Sequence, residues 1–296
     1  MRNINVTKKY KLWFSISGAF ILVGLIVMLL NGLNFGIDFT GGTMMQVDLG
    51  KTVEVSEIKD VIAEFDLNAD IVHAGVDSNE VIIKTKASLS NTERIDIFEV
   101  LKAEYGLADE AFRGAEQFGP SIGAEIRNRA LLAVVIASVA MLLYISVRFE
   151  TVFGLAAVIA LIHDVLILLS IYAIFRIPVN SSFIAAILTI VGYSINDTIV
   201  VFDRVRENVK REKGKTHFEI ADMSISQTIT RTINTSLTTL VVIGSLFIFG
   251  VSSIREFAFP LLAGVAVGTY SSIFIASPVW ALLRHKISRK DAYAAK

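Results

Sequence analysis

The sequence predicts an α-helical membrane protein with six spanning helices and one small α+β domain, which we expect outside the membrane between the first two helices. Three observations support this fold class. The 296 residues are 53% hydrophobic. The hydrophobic residues form long blocks, close to the roughly 20 residues that a spanning helix needs. The stretch 34–128 is instead polar and alternates between strand-like and helix-like periodicity, as a small folded domain does.

Six hydrophobic blocks give the predicted spans. The first follows a basic segment, 1–11, as in a secretion signal. It is longer than a typical signal, and no small-residue cleavage site follows it, so we expect an uncleaved helix over 12–31. The other five lie within 130–283, and a tail, 284–296, follows them. The blocks cover 12–30, 130–147, 152–175, 183–202, 233–251 and 257–283.

The distribution of basic residues predicts the orientation. Six Lys or Arg residues lie in the segment 203–215, and others crowd the N-terminus and the tail. The alternate short loops hold one each, Arg176 and Arg255. The positive-inside rule therefore places both termini in the cytoplasm and the domain at 34–128 outside. We interpret the charged residues from Asp203 to Glu207 as a solvated helix end.

The predicted outer domain has the element order β-α-β-β-α-β, the ferredoxin-like arrangement. Alternating residues predict strands at 43–50, 69–76 and 80–86, with a turn at 77–79, and a last strand is expected at 111–118. Amphipathic helices are expected at 56–65 and 91–105. Ser90 or Asn91 would cap the second helix, and Gly106 would end it. The domain shows no catalytic constellation.

Composition argues against several kinds of site. The chain has no cysteine, which excludes disulfides and thiolate metal sites, and its four histidines lack metal-ligand spacing. We therefore expect no metal site. We also expect no cofactor and no enzymatic activity. The formal net charge is zero, and no nucleic-acid partner is expected.

Asp197 is the first candidate functional residue, because a charged group within a span costs roughly 2.5–3.5 kcal/mol and is kept mainly for function. It lies beside Asn196 in the fourth block. Tyr193 and Ser194 precede it by four and three residues, so all three would share one helix face.

Arg231 is the second candidate, at the start of the fifth predicted span, with Asn234, Thr235 and Thr238 on the same face. A contact between Asp197 and Arg231 would partly neutralise both charges, and protonation of Asp197 would release Arg231. Two structural interpretations remain open. The two residues could form a static ion pair, or the span boundaries could differ so that both residues lie at the membrane interface, where Arg231 could extend to water.

The pair His163-Asp164 in the third span is a weaker candidate, because the sequence offers it no obvious partner. We count Asp164 among the supporting polar residues rather than among the coupling residues.

Four motifs carry a resemblance to a known family: FGIDFTGG after the first span, FGPSIG before the second, VGYSINDTIVVFDRVREN in the fourth and GTYSSIFIASP in the sixth. Together, in this order and with six spans, they resemble the SecF family of bacterial protein export. The resemblance covers essentially the whole chain.

The resemblance implies a fold of the resistance–nodulation–division transporter type, in which SecD supplies six homologous helices. It implies SecD, the SecYEG translocon, YajC, a translocating preprotein and the bilayer of the bacterial cytoplasmic membrane as partners. It also implies that a proton gradient, or a sodium gradient in some relatives, promotes the late steps of export. The ion-conducting aspartate and arginine of that family correspond to Asp197 and Arg231.

Three other functions remain as alternatives. Half of a small-molecule efflux pump would need a larger outer domain. An intramembrane aspartyl protease would need Asp164 and Asp197 to face each other at one depth, and the topology places Asp164 nearer the middle of its helix. An assembly scaffold would keep its polar residues only for subunit pairing.

Overall fold

The structure, a computed structural model, describes residues 5–75, 77–148 and 150–294. Arg2 of the basic N-terminus, Val76 at the end of a predicted strand and the last two residues of the tail lie outside this range, as do the side chains of Arg289 and Lys290.

Within this range the chain forms four β-strands and ten α-helices, and a π-helical turn, Ser272–Ala276, joins the last two helices. The strands are β1 Gly42–Asp48, β2 Asp70–Ala74, β3 Glu80–Thr85 and β4 Phe112–Phe118. The helices are α1 Tyr10–Asn31, α2 Ile37–Thr40, α3 Val55–Val61, α4 Asn91–Tyr105, α5 Pro120–Arg148, α6 Thr151–Ile174, α7 Ser181–Arg211, α8 His217–Phe249, α9 Ser252–Ser271 and α10 Ser277–Ala294.

Six helical segments of the described chain are long and apolar enough to cross a membrane, which confirms the predicted fold class. Five are α1, α5, α6, α7 and α8, and the sixth combines α9 with the start of α10. The chain is therefore a multi-pass membrane protein.

The small domain is a four-stranded antiparallel sheet in the order β2-β3-β1-β4. Inward residues of the strands, such as Val47 and Val81, pack with Ile58 of α3 and with Ile97 and Leu101 of α4 in one apolar core. Connectivity and strand order are those of the predicted ferredoxin-like arrangement. Of the two predicted caps for α4, the structure has Ser90, whose hydroxyl accepts a hydrogen bond from the Glu93 N–H while the Glu93 carboxylate accepts one from the Ser90 N–H.

Three helices extend beyond the predicted blocks. α5 begins at Pro120, so the last residues assigned to the outer domain belong to this helix. α7 continues to Arg211 through the segment expected to be a solvated end, with ion pairs such as Arg204–Glu207 along its surface. α8 begins at His217 instead of near residue 233, behind a capping box formed by Thr216 and Glu219. Arg231 consequently lies in a helix interior.

α7 lies at the centre of the helical bundle and contacts α5, α6, α8 and α9. Apolar side chains such as Phe183, Ile190 and Phe202 fill the core around it. Close approach to α9 depends on Gly268, because a Cβ there would lie 2.9 Å from the Ser194 Cβ. Missing side chains allow helix backbones in membranes to come this close.

Two of the sequence motifs form the joint between the sheet domain and the bundle. In FGIDFTGG, Gly42 has a φ of +143°, and a Cβ there would lie 2.2 Å from the Thr85 carbonyl oxygen. The preceding α2 packs against the start of α5, in FGPSIG, where a Cβ on Gly123 would come within 2.9 Å of the Phe39 backbone. Both motifs are therefore needed for close backbone packing at the joint.

Further contacts hold the domain on the bundle. Gly36 N–H donates to the Val179 carbonyl in the loop between α6 and α7 at 2.8 Å. The Lys84 ammonium of β3 lies 2.9 Å from the Glu256 carboxylate of α9, which also accepts a hydrogen bond from the Asn180 amide at 3.0 Å. We call the end of the bundle that contacts the sheet domain, at the loop between α6 and α7 and at the start of α9, the domain end.

At the opposite end, the chain start is attached to α8. The Asp222 carboxylate accepts hydrogen bonds from the Thr7 N–H at 2.8 Å and from the Thr7 hydroxyl at 2.7 Å. Thr7 is buried. The segment before α1 is therefore fixed to the first turns of α8.

Candidate ion-coupling site

Asp197 lies in the middle of α7 and is only 3% exposed. Its Oδ2 accepts a hydrogen bond from the Ser236 hydroxyl of α8 at 3.2 Å. The Thr269 hydroxyl of α9 lies 2.6 Å from the Ser236 oxygen and extends this arrangement. A buried carboxylate with so little hydrogen bonding is costly in its ionised form, which suits a group that changes its protonation or its partner.

Ser236 is the last residue of a row of hydroxyl side chains on α8. The row recurs every fourth residue, so its members lie on one helix face. All four are buried, and the Thr232 hydroxyl has no hydrogen-bond partner among the described residues. Sequence reasoning missed this row, although its four-residue repeat was a readable signal. The row consists of Ser224, Thr228, Thr232 and Ser236.

Arg231 does not contact Asp197, contrary to the predicted pairing. Arg231 is exposed, and no ion pair joins the two residues in the described structure. It precedes Ser236 by five residues, or about 7.5 Å along the helix axis, on another face. There it borders a cavity of about 290 Å³ between α7 and α8, together with Asp203, Glu207 and Gln227. The two residues interact only through longer-range electrostatics.

The supporting polar residues of the fourth block point in different directions. The Tyr193 hydroxyl donates to Thr239 of α8 at 3.3 Å. Ser194 is turned toward α6 and not toward Asp197, and Asn196 is exposed. The predicted shared face therefore divides between two neighbours, since Tyr193 and Asp197 contact α8 and Ser194 contacts α6.

On α8, the predicted polar face is the exposed one. Asn234, Thr235 and Thr238 are exposed beside Arg231. The hydroxyls of Thr235 and Thr238 donate to carbonyls of their own helix, such as that of Arg231 at 3.0 Å. The face that contacts α7 is the row of hydroxyls.

Asp164 of α6 has hydrogen-bond partners on three helices, although the sequence suggested none. It is fully buried, and its Oδ2 accepts hydrogen bonds from Ser194 of α7 at 2.5 Å and from Ser271 of α9 at 2.8 Å. His163 Nδ1 lies 2.9 Å from its Oδ1. Ser271 directly precedes the π-helical turn, a feature often found at functional sites. Both Thr269 and Ser271 belong to GTYSSIFIASP, one of the four motifs that carry the family resemblance.

The two carboxylates lie within about one helical turn of each other in depth, because Ser194, the partner of Asp164, precedes Asp197 by three residues. The sequence predicts a difference in depth between the two carboxylates, and in the structure this difference is small. Their partners nevertheless differ, since Asp164 contacts Ser194 and Ser271 whereas Asp197 contacts Ser236. A protease dyad would need the carboxylates to face each other, so the geometry contradicts that alternative. The described residues also contain no group of three or more His, Cys, Asp or Glu that could hold a metal ion.

Two protein-family models match the chain and show which family it belongs to. The family model described as protein export membrane protein SecD/SecF, C-terminal, matches residues 99–286, and the SecD/SecF GG motif matches residues 26–53. The chain belongs to the SecD/SecF protein-export family. Asp164, Asp197 and Arg231 all lie within the first of these matches, as does Gly123 at the joint, and Gly42 lies within the second.

Individual members of the SecD/SecF family are similar over most of the chain. Protein translocase subunit SecF of Desulfurispirillum indicum is 42% identical over 272 residues, which are 89% of this chain and 86% of the relative. SecF of Acidaminococcus fermentans is 36% identical and covers 98% of this chain and 100% of the relative. SecDF of Bacillus subtilis is 36% identical over 97% of this chain but only 39% of its own length.

Solved structures agree. A crystal structure of SecDF from Thermus thermophilus, described as a translocon-associated membrane protein, has a TM-score of 0.82 and 35% identity over 96% of this chain. SecDF in a super-membrane-facing form has a TM-score of 0.75 and 33% identity over 99% of this chain. The chain spans about two fifths of these SecDF chains, 39% and 40% respectively.

Proposed function

We propose that the chain is a SecF-type auxiliary subunit of a protein translocase, which works with SecD and uses a proton or sodium gradient to promote late steps of preprotein export. The single observation that carries the ion-coupling role is the buried Asp197 in the middle of a span, which has only neutral hydroxyls beside its carboxylate among the described residues, those of Ser236 at 3.2 Å and of Thr269. Relatives named SecF support the role in translocation. They do not favour the efflux alternative, and the proposed role in translocation is a non-catalytic one.

SecD is the proposed partner in the membrane, because relatives such as SecDF of Bacillus subtilis carry both parts in one chain. The exposed face of α8 around Arg231, Asn234 and Thr235 suits this contact. Polar side chains facing lipid are costly, and polar side chains between helices can hydrogen bond across the contact. The SecYEG translocon, YajC and the preprotein are proposed as further partners.

The proposed location is the bacterial cytoplasmic membrane, with both termini in the cytoplasm. The basic residues near the end of α7, including Lys210 and Arg211, lie at the end of the bundle opposite the domain. Under the positive-inside rule this end faces the cytoplasm, and the sheet domain then faces the exported polypeptide.

In the proposed mechanism, an ion binding to Asp197 changes its hydrogen bond with Ser236 and shifts α7 relative to α8. Arg231 pairs with the ionised carboxylate only in another conformation, since it lies about 7.5 Å further along α8. One charge crossing 100 mV supplies about 2.3 kcal/mol, enough to move an equilibrium between two helix arrangements.

Replacement of Asp197 by Asn tests the coupling role. We expect Asp197→Asn, assembled with SecD and the translocon in vesicles, to lose gradient-dependent stimulation of export while basal export continues. The control is Glu125→Gln near the start of α5, where Glu125 is exposed and forms an ion pair with Arg129. The control should keep the stimulation.

Two other outcomes would contradict the proposal. Ion flux and stimulation that survive Asp197→Asn would remove the coupling role. A variant that loses only assembly or thermal stability, with stimulation unchanged per assembled complex, would favour the scaffold alternative.

A further inference from the structure

His163 is buried at 7% exposure, yet its Nε2 has no hydrogen-bond partner among the described residues. Its other ring nitrogen, Nδ1, lies 2.9 Å from Asp164 Oδ1. When Asp164 is ionised, Nδ1 carries the hydrogen and donates it, and the lone pair of Nε2 is left without a donor. Buried polar atoms are rarely left unsatisfied, so such an atom calls for an explanation.

The ring borders a groove of about 340 Å³ between α1, α6 and α9. Its walls are almost entirely apolar and include Phe20, Ile167 and Val267. Two polar side chains share the wall, but they are bonded elsewhere, since the Ser17 hydroxyl donates to the Tyr270 hydroxyl at 3.2 Å and the Tyr270 hydroxyl to the Trp13 carbonyl at 3.3 Å. Nε2 of His163 is thus the unsatisfied polar atom beside this groove.

No permanently charged cation of the described chain balances the negative charge of an ionised Asp164 beside His163. Asp164 receives hydrogen bonds only from neutral hydroxyls, those of Ser194 on α7 and Ser271 on α9, besides His163. From α1 and α9 the groove adds only the hydroxyls of Ser17 and Tyr270. No Lys or Arg of the described chain makes an ion pair with Asp164. An ionised carboxylate without a cation is costly at this depth.

We infer that His163 and Asp164 form a second proton-binding site in the bundle, at which His163 Nε2 accepts one proton supplied by the bulk solution. The imidazole becomes an imidazolium, Asp164 remains a carboxylate, and the pair changes from one negative charge to neutrality. A metal cation does not suit the site, because three donors already occupy the carboxylate oxygens.

The site is separate from Asp197 but linked to it through α7 and α9. Ser194 binds Asp164 from the helix that carries Asp197, and Ser271 lies two residues after Thr269, which contacts Ser236. Loading the His163 site therefore changes the helices that position Asp197. This consequence for transport rests on the proposed function, whereas proton binding itself does not.

The test measures the protonation of His163 directly. The full chain, labelled with ¹⁵N-histidine and assembled with SecD in lipid vesicles, is examined by solid-state NMR from about pH 5 to 9, the range in which histidine commonly titrates. His163→Asn assigns the signal. We expect the Nδ1-protonated tautomer at high pH and an imidazolium at low pH.

Two variants should shift this titration in opposite directions. Asp164→Asn removes the carboxylate and should lower the proton affinity of His163 at least tenfold. Ser271→Ala removes one donor from the carboxylate, so its negative charge acts more strongly on the ring and the affinity should rise. Ser271→Ala keeps the test decisive if Asp164→Asn fails to fold. The signal of His73, bonded to the Val53 carbonyl in the sheet domain, should not move in either variant.

A His163 signal that stays in one state over the whole pH range would overturn the inference, as would titration unchanged in the folded variants. Failure of the proposed function is distinguishable, because Asp197→Asn should leave the titration of His163 in place whatever it does to export. For transport, His163→Gln should flatten the pH dependence of stimulated export, and the control His73→Gln should retain it. An unchanged pH profile in His163→Gln would contradict the link between the two sites.

Discussion

Asp164 and Asp197 are almost equally buried but differ in what surrounds their oxygens. Asp164 accepts hydrogen bonds from His163, Ser194 and Ser271, whereas Asp197 accepts one longer bond from Ser236. Burial alone would not separate the two carboxylates. Hydrogen bonding separates their roles. Protonation of Asp197 would weaken fewer hydrogen bonds than protonation of Asp164. At Asp164 we therefore expect the neighbouring His163 to take up the proton.

At the same scale, Asp48 in the sheet domain should give the protein a stability that depends on pH. The Gly50 N–H at 2.9 Å, the Arg113 guanidinium at 2.7 Å and the Asn79 amide hold the pKa of Asp48 below its usual value. A depressed carboxylate pKa stabilises the fold above the unfolded value of about 3.9, and this stabilisation is lost as pH falls through the folded value.

We therefore expect the protection factors of the β1 amides, which compare each exchange rate with the intrinsic rate at the same pH, to fall below about pH 4 in the wild-type chain, and less so in Asp48→Asn. The contribution should not exceed about 1 kcal/mol, because Arg113 is half exposed. Asp96→Asn, an exposed aspartate of α4, is the control and should behave as wild type. An identical acid response in wild type and Asp48→Asn would contradict the assignment.

Among the elements, α8 shows why a span can be misplaced from sequence. Its first half contains Ser224, Thr228 and Thr232, which lower the local hydrophobicity although they are buried against α7. A hydrophobic block therefore starts only near residue 233, and Arg231 looks like the beginning of a span. Which face of α8 meets α7 depends on helix packing, and a single sequence does not specify it.

The packing of α7 against α9 gives a prediction at the level of elements. In Gly268→Ala the new methyl group would lie 2.9 Å from the Ser194 Cβ, so the helices must separate. We expect a loss of about 1–3 kcal/mol, typical of overpacking, together with a disturbed bond between Ser194 and Asp164. Thermal unfolding in detergent or lipid measures the loss.

Gly244→Ala is the matched control, because nothing lies within 4 Å of a Cβ built at Gly244. Alanine favours a helix over glycine by roughly 0.5–1 kcal/mol, so this variant should be neutral or slightly more stable. Equal stability of the Gly268→Ala chain and wild type would show that the two helices can separate without cost.

The two basic residues at the domain end also act within their elements. The Arg176 guanidinium donates to the carbonyls of Asn31 and Gly32 after α1. The Arg255 guanidinium donates to the carbonyls of Ile248 and Gly250 at the end of α8. Helix C-termini leave such carbonyls unpaired, so local capping explains these exceptions to the charge distribution.

For the whole molecule, the link between Lys84, Glu256 and Asn180 should determine how firmly the sheet domain sits on the bundle. The Lys84 and Glu256 side chains are 22% and 26% exposed, and we expect the ion pair to contribute about 1 kcal/mol at most. Because the chain lacks cysteine, spin labels can be attached at introduced cysteines in place of the exposed Ala103 and Ser253. Glu256→Gln should broaden the distribution of distances between them.

The double replacement Lys84→Glu with Glu256→Lys restores opposite charges and should narrow the distribution again. Arg129→Gln, which breaks an exposed pair with Glu125 within α5, is the control and should leave it unchanged. A distribution that is the same in wild type and Glu256→Gln would show that the other contacts at the joint suffice.

The large-scale organisation could be predicted because it depends on features that a sequence displays directly. Block length identifies the spans, and alternating residues identify the strands of the ferredoxin-like domain. Asp197 was found for the same reason, as a charge within an apolar block. Ser236, Ser271 and the partners of Asp164 were not found, because their roles arise from contacts between helices distant in the chain.

The hydrogen bonds between Thr7 and Asp222 connect the start of α8 to the segment before α1, so a movement of α8 would also move α1. With 33 residues, α8 is about 50 Å long, whereas the hydrocarbon core of a bilayer is about 30 Å thick. Its first turns therefore project from the membrane, and there Asp222 is tied to the segment that begins α1. A tilt of α8 pivoting at Ser236 would pull the start of α1, whose far end leads through α2 into the sheet. A movement of α8 around Ser236 would thus reach the sheet domain through α8, the hydrogen bonds between Asp222 and Thr7, and α1.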